Sequence, residues 1–499
     1  VPGESRTNTD VGLARDAIGL REVLFQSVTA MAPAAAVAAS IPAGAAFAGG
    51  SLPLSVLVAL VACLLTASCV AELAQHLPAA GSVATYSARG LHPAVGFLVG
   101  WGYVFVEALV PPLLLLQLGF TTAGTLHQQW SAYPADLWWP WSLAGAVVIA
   151  FAGFFGVRAS ARFGTVLGVF EVLVFVAFAV LLIVAAGSDN TLSVFGTSHT
   201  AHGYGGFGGV FAGSVYTVLA FAGFEAAAPL AEEAKDPRRT MRRAVFGAAL
   251  AIGIVYVLTT YAMAVYFGPD RFAGFGASGD ASWEGVARAS FGLFWVILFL
   301  AVVNSTVANA NACSNVSTRT AFALGRIGVF PRSFARLHPR HRSPVSGVAA
   351  QFVVAVAAML GLGLGLWYDP VTAFALLATV IVTVIIGVYI VVDVACAGYF
   401  LRRRRDLFSP LRHVVFPALG IAAFVLALLT AAGIPAFDFV AELTPPMSYA
   451  GPVVGVWMAA GVVVLVVLAR RHPERLAQTG RVHLIDPDED PLETGAVPR

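Results

Sequence analysis

Ala220-Phe221-Ala222-Gly223-Phe224-Glu225, followed by Pro229, lies inside an apolar run over residues 207–231. A run of that length crosses a bilayer, whose hydrocarbon core takes about 20 mostly apolar residues of helix. A carboxylate at membrane depth is costly, so its presence there marks a functional position or a protein-lined cavity. Local unwinding that opens backbone groups near the midplane is the arrangement such an interruption supports. A second interrupted run stands near the start of the chain: Val28-Thr29-Ala30-Met31-Ala32-Pro33-Ala34-Ala35-Ala36, with Pro42 and Gly44 beyond it. Either run alone also reads as a proline kink without function. Together they are the first spans of two five-helix halves, the corresponding positions expected of an inverted repeat.

Working outward, the whole chain reads as membrane-spanning. Its 499 residues are 58% hydrophobic and 11% charged, with a mean hydropathy of +0.82, whereas soluble domains carry about 25% charged residues. This excludes a soluble multidomain enzyme. Twelve apolar runs are expected to span, at about 24–48, 52–74, 94–126, 138–157, 163–186, 207–231, 244–268, 291–322, 345–366, 371–399, 414–432 and 451–469. Cytoplasmic loops retain Lys and Arg. With the N-terminus inside, 27 of the 29 basic residues fall on the cytoplasmic side, and only Arg271 and Arg288 fall outside. An error of one span would move every later loop across the membrane and destroy that bias.

The expected organisation is a cytoplasmic N-tail over 1–22, a transporter domain over 23–469 and a cytoplasmic C-tail over 470–499. Within the domain, repeats cover about 23–186 and 207–399, and two further helices cover about 414–469. The first 22 residues carry both signs of charge and lack the pattern of a cleavable signal. Cys63, Cys69, Cys313 and Cys396 fall inside spans, with neither disulfide nor zinc spacing. His199 with His202, and His338 with His341, resemble metal spacings, but their loop positions favour ordinary surface histidines, and no metal is expected. The acidic cluster Asp486, Asp488, Glu489 and Asp490 reads as a solvated tail.

Five acids lie deep in spans: Glu72, Glu107, Glu171, Glu225 and Asp393. Glu72, near a helix end, is expected to be structural, and Asp393 to mark the approach to the Arg402–Arg405 interface. The eighth span is unusually polar. Asn304, Asn311, Asn315 and Thr318 share one side at helical spacing, either as an interhelical seam or as part of a substrate pathway. No nucleophile with a base and no metal cluster converges in any span, so an enzyme is not expected.

Several short motifs carry a family resemblance. They are Ala71-Glu72-Leu73, Leu77-Pro78, Ala80-Gly81-Ser82 with Tyr86, Gly96-Phe97, Gly100-Trp101, Phe221 to Glu225 with Glu232 to Arg238, and Leu324-Gly325-Arg326 with Gly328 and Pro331. Each is weak alone, but their order and positions resemble the amino acid-polyamine-organocation (APC) superfamily over roughly residues 20–470. The chain is more similar to the putrescine-importer and actinobacterial permease branches than to the classical α-amino acid branches. The resemblance implies an all-α membrane protein of two inverted five-helix repeats plus two helices, working by alternating access on an amino acid or amine. It implies a bacterial plasma-membrane location, no nucleic-acid partner and no cofactor beyond a coupling ion. A proton is expected ahead of sodium, whose ligands cannot be identified, and the oligomeric state stays open.

For site residues, the resemblance implies that helix-one amides take a substrate carboxylate while helix-six carbonyls take an amine. The implied substrate set is Ala32, Pro33, Ala34, Ala35, Glu107, Phe221, Ala222, Gly223 and Asn311. The helix-one break falls by this comparison on Pro33-Ala34-Ala35, where Pro-Ala-Ala-Ala replaces the family's Gly-rich turn and Ala resists positive φ. Glu225 matches the helix-six glutamate, with a proton-linked or a structural role. Glu171 stands where some relatives carry a lysine in place of a sodium ion, and there it would take a proton or a cation. The reading is a proton-coupled permease of amino acids or amines; a substrate exchanger and a permease-like nutrient sensor are the alternatives.

Overall fold

Long apolar segments in a bilayer fold as helices because each backbone N–H and C=O must be satisfied within its own segment. A computed structural model describes residues 19–77, 81–155, 160–232, 237–276, 279–326, 330–338, 341, 343–366, 369–434, 436 and 443–478. Most of both expected tails, the Glu233–Asp236 segment and Gly328 lie outside the described residues.

The helix α1 has two arms, Leu20–Ala30 and residues 33–48, and a short turn over Gly49–Ser51 leads into α2 (Leu52–His76). Then come α3 (Pro93–Gln129), α4 (Trp139–Phe155) and α5 (Ser160–Ala186). The helix α6 is again in two arms, Phe207–Phe221 and Phe224–Glu232, and is followed by α7 (Pro237–Phe267) and α8 (Phe294–Arg326). The last four are α9 (Val345–Gly365), α10 (Pro370–Arg402), α11 (Leu411–Ala431) and α12 (Ala450–Arg471). Among the described residues, ten helical stretches are long and apolar enough to cross a membrane; the first, Val23–His76, contains both α1 and α2, and the shorter apolar α4 joins them. All twelve expected spans are therefore helices.

At the centre, α2 packs along α7, and α3 lies against both α8 and α10. The periphery is apolar and uncovered. Val147, Val148 and Phe151 of α4, Val353 of α9, and Val456 and Val463 of α12 are all more than half exposed, as a lipid-facing rim requires. The outermost helix is pinned by a reciprocal pair. Trp101 Nε1 donates to the Trp457 carbonyl at 3.0 Å and Trp457 Nε1 donates to the Trp101 carbonyl at 3.1 Å, with the rings stacked 4.8 Å apart.

Between α7 and α8, the short helix Trp283–Phe291 starts from Ser282, whose hydroxyl accepts from Gly285 N–H at 3.2 Å. Beside that cap Glu284 is buried, and its Oε1 has no partner among the described residues. Burial raises its carboxyl to about 7 from 4.5. The folded chain thus keeps a proton that the unfolded chain has released, and stability falls as pH rises from about 4.5 through 7, by at most roughly 3 kcal/mol. The melting temperature of the detergent-purified protein is expected to drop between pH 5 and pH 8, and Glu284→Gln to flatten that drop. An unchanged slope in the variant would locate the titration elsewhere.

Candidate functional site

Pro33 decides where α1 breaks. A residue before proline is disfavoured in the right-handed helical region, and Ala32 sits instead at φ 45°, ψ 65°, in the left-handed region. The break therefore falls at Met31–Ala32, just ahead of the expected Pro33-Ala34-Ala35. An alanine adopts the positive φ that was expected to need glycine, at a strain of roughly 1–2 kcal/mol. Pro33 then occupies the first position of the second arm, where its missing N–H is not needed.

The break frees carbonyls in an apolar interior, and side chains from other helices take them. Asn309 Nδ2 of α8 donates to Ala30 O at 2.9 Å, and Gln117 Nε2 of α3 donates to Ala35 O at 2.8 Å. In α6 the chain turns at Gly223, with φ 110°. Its N–H donates to Glu225 Oε2 at 3.1 Å, and Ser27 Oγ of α1 donates to Phe224 O at 2.7 Å. The Tyr256 hydroxyl of α7 bridges both breaks, 2.9 Å from Met31 O and 3.0 Å from Ala220 O. Each bond is worth about 1 kcal/mol net, but an unmet carbonyl here would cost more.

Where the two breaks cross there is a cavity of about 100 Å³. Its walls come from Ala30 to Ala32 and Ala35 of α1, Tyr103 and Glu107 of α3, Ala222, Gly223 and Glu225 of α6, Asn309 and Cys313 of α8, and Ile385 of α10. Glu225 is 2% exposed and accepts from the Tyr389 hydroxyl at 2.9 Å as well as from Gly223. Glu107 is 8% exposed, and its Oε2 has no partner among the described residues. Tyr103, one turn before Glu107, lies close to both carboxylates. No Lys, Arg or His is among the described lining residues.

Of the residues the sequence singled out, Ala32, Ala35, Glu107, Ala222, Gly223 and Glu225 line this cavity, and Pro33, Ala34, Phe221 and Asn311 do not. Phe221 is fully buried against Tyr256. The α8 amide side chain that lines the cavity is Asn309, two positions from Asn311 and on a different face. Glu171 lies apart, in a space of about 20 Å³ shared with Thr29, Asn304, Ser305 and Ala308, which is room for about one water. Asn304 Nδ2 donates to Glu171 Oε1, and the backbone of Ala34 lies against the same carboxylate. Glu171 thus sits at the start of the second arm of α1, where helix amides favour an anion.

Glu72 accepts from Arg412 Nη1 at 3.2 Å, tying α2 to α11. Asp393, expected to approach the interface, is instead fully buried. His338 and His341 form a close ring pair, 4.9 Å between centroids, and among the described residues no group of three His, Cys, Asp or Glu is placed to hold a metal. Tyr103, Gln117, Tyr256 and Tyr389 went unmarked in the sequence. A lone tyrosine or glutamine in a span carries no signal until the carbonyl or carboxylate it meets is known.

Two interrupted helices crossing over a buried acidic cavity, inside a bundle with an apolar rim, form an arrangement that membrane transporters use. The amino acid permease family model matches residues 22–470. The chain belongs to that family, in agreement with the superfamily resemblance of its motifs, and is accordingly a multi-pass membrane transporter rather than an enzyme. It is similar to the low-affinity putrescine importer PlaP of Escherichia coli (strain K12), 29% identical over 342 residues, which are 66% of this chain and 70% of that protein. Similarity extends to the branched-chain amino acid permease BcaP of Bacillus subtilis (strain 168), at 28% over 335 residues, 64% of this chain and 68% of the relative. An uncharacterised transporter of Mycobacterium tuberculosis (strain H37Rv) matches at 29% over 353 residues, 69% and 74% of the two chains.

A Cβ on Gly223 would stand 2.6 Å from Ala30 O and 2.7 Å from Ala30 C, at a φ that L side chains rarely adopt. Gly223→Ala is expected to force the two breaks apart and to cut uptake by about tenfold or more, consistent with strain of 1–3 kcal/mol, while the protein still reaches the membrane. Wild-type uptake at equal membrane abundance would show that the close crossing of α1 and α6 is dispensable.

Proposed function

We propose that the chain is a proton-coupled importer of amines or amino acids, resident in a bacterial plasma membrane with both termini cytoplasmic, and working by alternating access. The observation that carries this reading is the pair of buried carboxylates, Glu107 and Glu225, facing one cavity without a basic side chain among its described lining residues. Unpaired charge at that depth costs several kcal/mol, so a proton or a substrate ammonium group has to accompany each acid. Exchange of one for the other is the elementary step of coupled uptake. Glu171, against the Ala34 backbone and apart from the cavity, takes the helix start that would otherwise receive a substrate carboxylate. This favours a substrate that needs no carboxylate there, a diamine, and accords with the putrescine importer among the relatives.

A second reading has its own support. Val106, Val110, Leu113, Leu114 and Leu219 make much of the remaining wall apolar. A branched side chain would fill such a wall, and one relative is a branched-chain amino acid permease. Uptake of labelled putrescine and labelled leucine into proteoliposomes, with and without an inward proton gradient, separates the two. Gradient-driven accumulation of putrescine supports the diamine reading, and accumulation of leucine alone supports the other. Movement only into preloaded vesicles would make the protein an exchanger, and binding without movement would make it a sensor.

Two variants bear on the roles of the acids. Glu107→Gln is expected to weaken putrescine uptake by about tenfold or more, through loss of a charged partner in a buried site, and to change leucine uptake less; equal effects on both would remove Glu107 from amine recognition. Glu171→Gln is expected to retain exchange while uptake stops responding to the pH gradient. An unchanged pH response would end its coupling role.

A further inference from the structure

Asp393 lies outside the cavity, yet it is the most enclosed of the described acids, with no exposed surface. Thr66 Oγ1 of α2 donates to its Oδ2 at 2.8 Å, and its Oδ1 has no partner among the described residues. The backbone of α11 closes over the same group, since a Cβ on Gly420 would stand 2.7 Å from Oδ2. The titratable groups that face it are thiols. Cys69 of α2 lies against both Asp393 and Cys396 of α10, and Cys63 of α2 is near both Asp393 and Glu225. From α11 the cation Arg412 goes to Glu72 instead.

Such a carboxylate is expensive as a structural device. One threonine bond is worth about 1 kcal/mol, while an unpaired charge in an apolar interior costs several. Its position suggests what it is for. One turn before it on α10 stands Tyr389, whose hydroxyl donates to the cavity acid Glu225 at 2.9 Å. On the other side, α10 runs nine residues, about 14 Å at helical rise, to Arg402. Polar positions recur along α2 at three- and four-residue spacing: Cys63, Thr66, Cys69, Glu72 and His76. They end at a cluster where His76 and His413 both pack on the Phe400 ring and His413 Nε2 has no partner among the described residues.

We propose that Asp393 is a second proton-carrying site of the transport cycle, receiving the proton that substrate displaces from Glu225 and releasing it at the basic end of the bundle. The inference rests on the proton-coupled reading above. When an ammonium group pairs with Glu225, the carboxyl proton leaves; Tyr389 accepts it at the phenol oxygen and gives up its own. The thiol of Cys63, which lies near Tyr389, Glu225 and Asp393, takes that proton at sulfur and passes its own to a carboxylate oxygen of Asp393, which has passed its previous proton toward His76 and His413. One proton thus moves toward the basic end for each substrate bound; Glu225 takes a new proton from the opposite side once the substrate has left, and the charges at both acids are unchanged at the close of the cycle.

The test uses the full chain in proteoliposomes that enclose a pH-sensitive dye, with labelled putrescine and, in parallel, labelled leucine. Two readouts are taken: substrate-evoked proton movement and counterflow of label. Asp393→Asn, which removes the titrating group, is expected to keep counterflow within about threefold and to lose proton movement by about tenfold or more. Wild-type protein that moves label without protons would remove the proton-coupled reading and this inference with it. Coupled wild-type protein with an equally coupled Asp393→Asn would overturn the Asp393 inference alone. If Asp393→Asn does not fold, Thr66→Val decides, because it keeps shape and deletes only the donor to Asp393. A displacement of the uptake-against-pH midpoint by on the order of one unit supports the site, and an unmoved midpoint overturns it.

Discussion

The requirement that a broken helix be satisfied by its neighbours, with no water at hand, governs the arrangement of this protein. Pro33 stops α1 and Gly223 turns α6, and each break exposes backbone groups that lipid cannot solvate. The partners come from three other helices, through Asn309, Gln117 and Tyr256, or from the opposite broken helix, through Ser27. Because Tyr256 contacts carbonyls of both breaks, α1 and α6 are held in register through α7. The cavity is what remains between them.

This bonding divides the acids by surroundings. Glu225 is tied to the turn through the Gly223 N–H and to α10 through Tyr389, so a change in its charge is felt on two helices at once. Glu107 is less committed, with one carboxyl oxygen unpartnered, which suits a group that meets a ligand. Glu171 bonds to α8 and lies against α1 without reaching the cavity. Such separation of cavity-facing from packing-facing charge is what the proposed coupled cycle would use, since a ligand shifts a conformational equilibrium only by its differential affinity for the two states.

The outer helices do different work. α4, α9 and α12 present apolar faces with much exposed surface, and lipid is as apolar as their side chains, so area burial contributes little to their docking. Specific contacts hold them instead. The reciprocal tryptophan pair of α3 and α12, with Phe105 stacked on Trp457 at 4.5 Å, is the clearest case.

Much of this was legible in the residue order. Apolar run length predicts every spanning helix, because about 20 apolar residues have one stable form in a bilayer, and the interrupted runs at Pro33 and Gly223 mark both breaks. Glu107 and Glu225, which line the cavity, stood out as candidates because charge at depth is conspicuous against hydrocarbon. The exact break point was less so: a proline acts on the residue before it, which moves the turn to Ala32. What only the tertiary structure decided was which polar side chain meets which backbone group. Asn309 and Asn311 are equivalent in composition, and helix rotation alone puts the first on Ala30 O. Asp393 stood near a basic cluster in sequence, yet α2 and α11 enclose it. Sequence by itself determined where chain must be helical and where it must break, because those follow from local geometry and solvent. The pairing of groups far apart in the chain depends on how helices rotate and pack, and no local pattern encodes it.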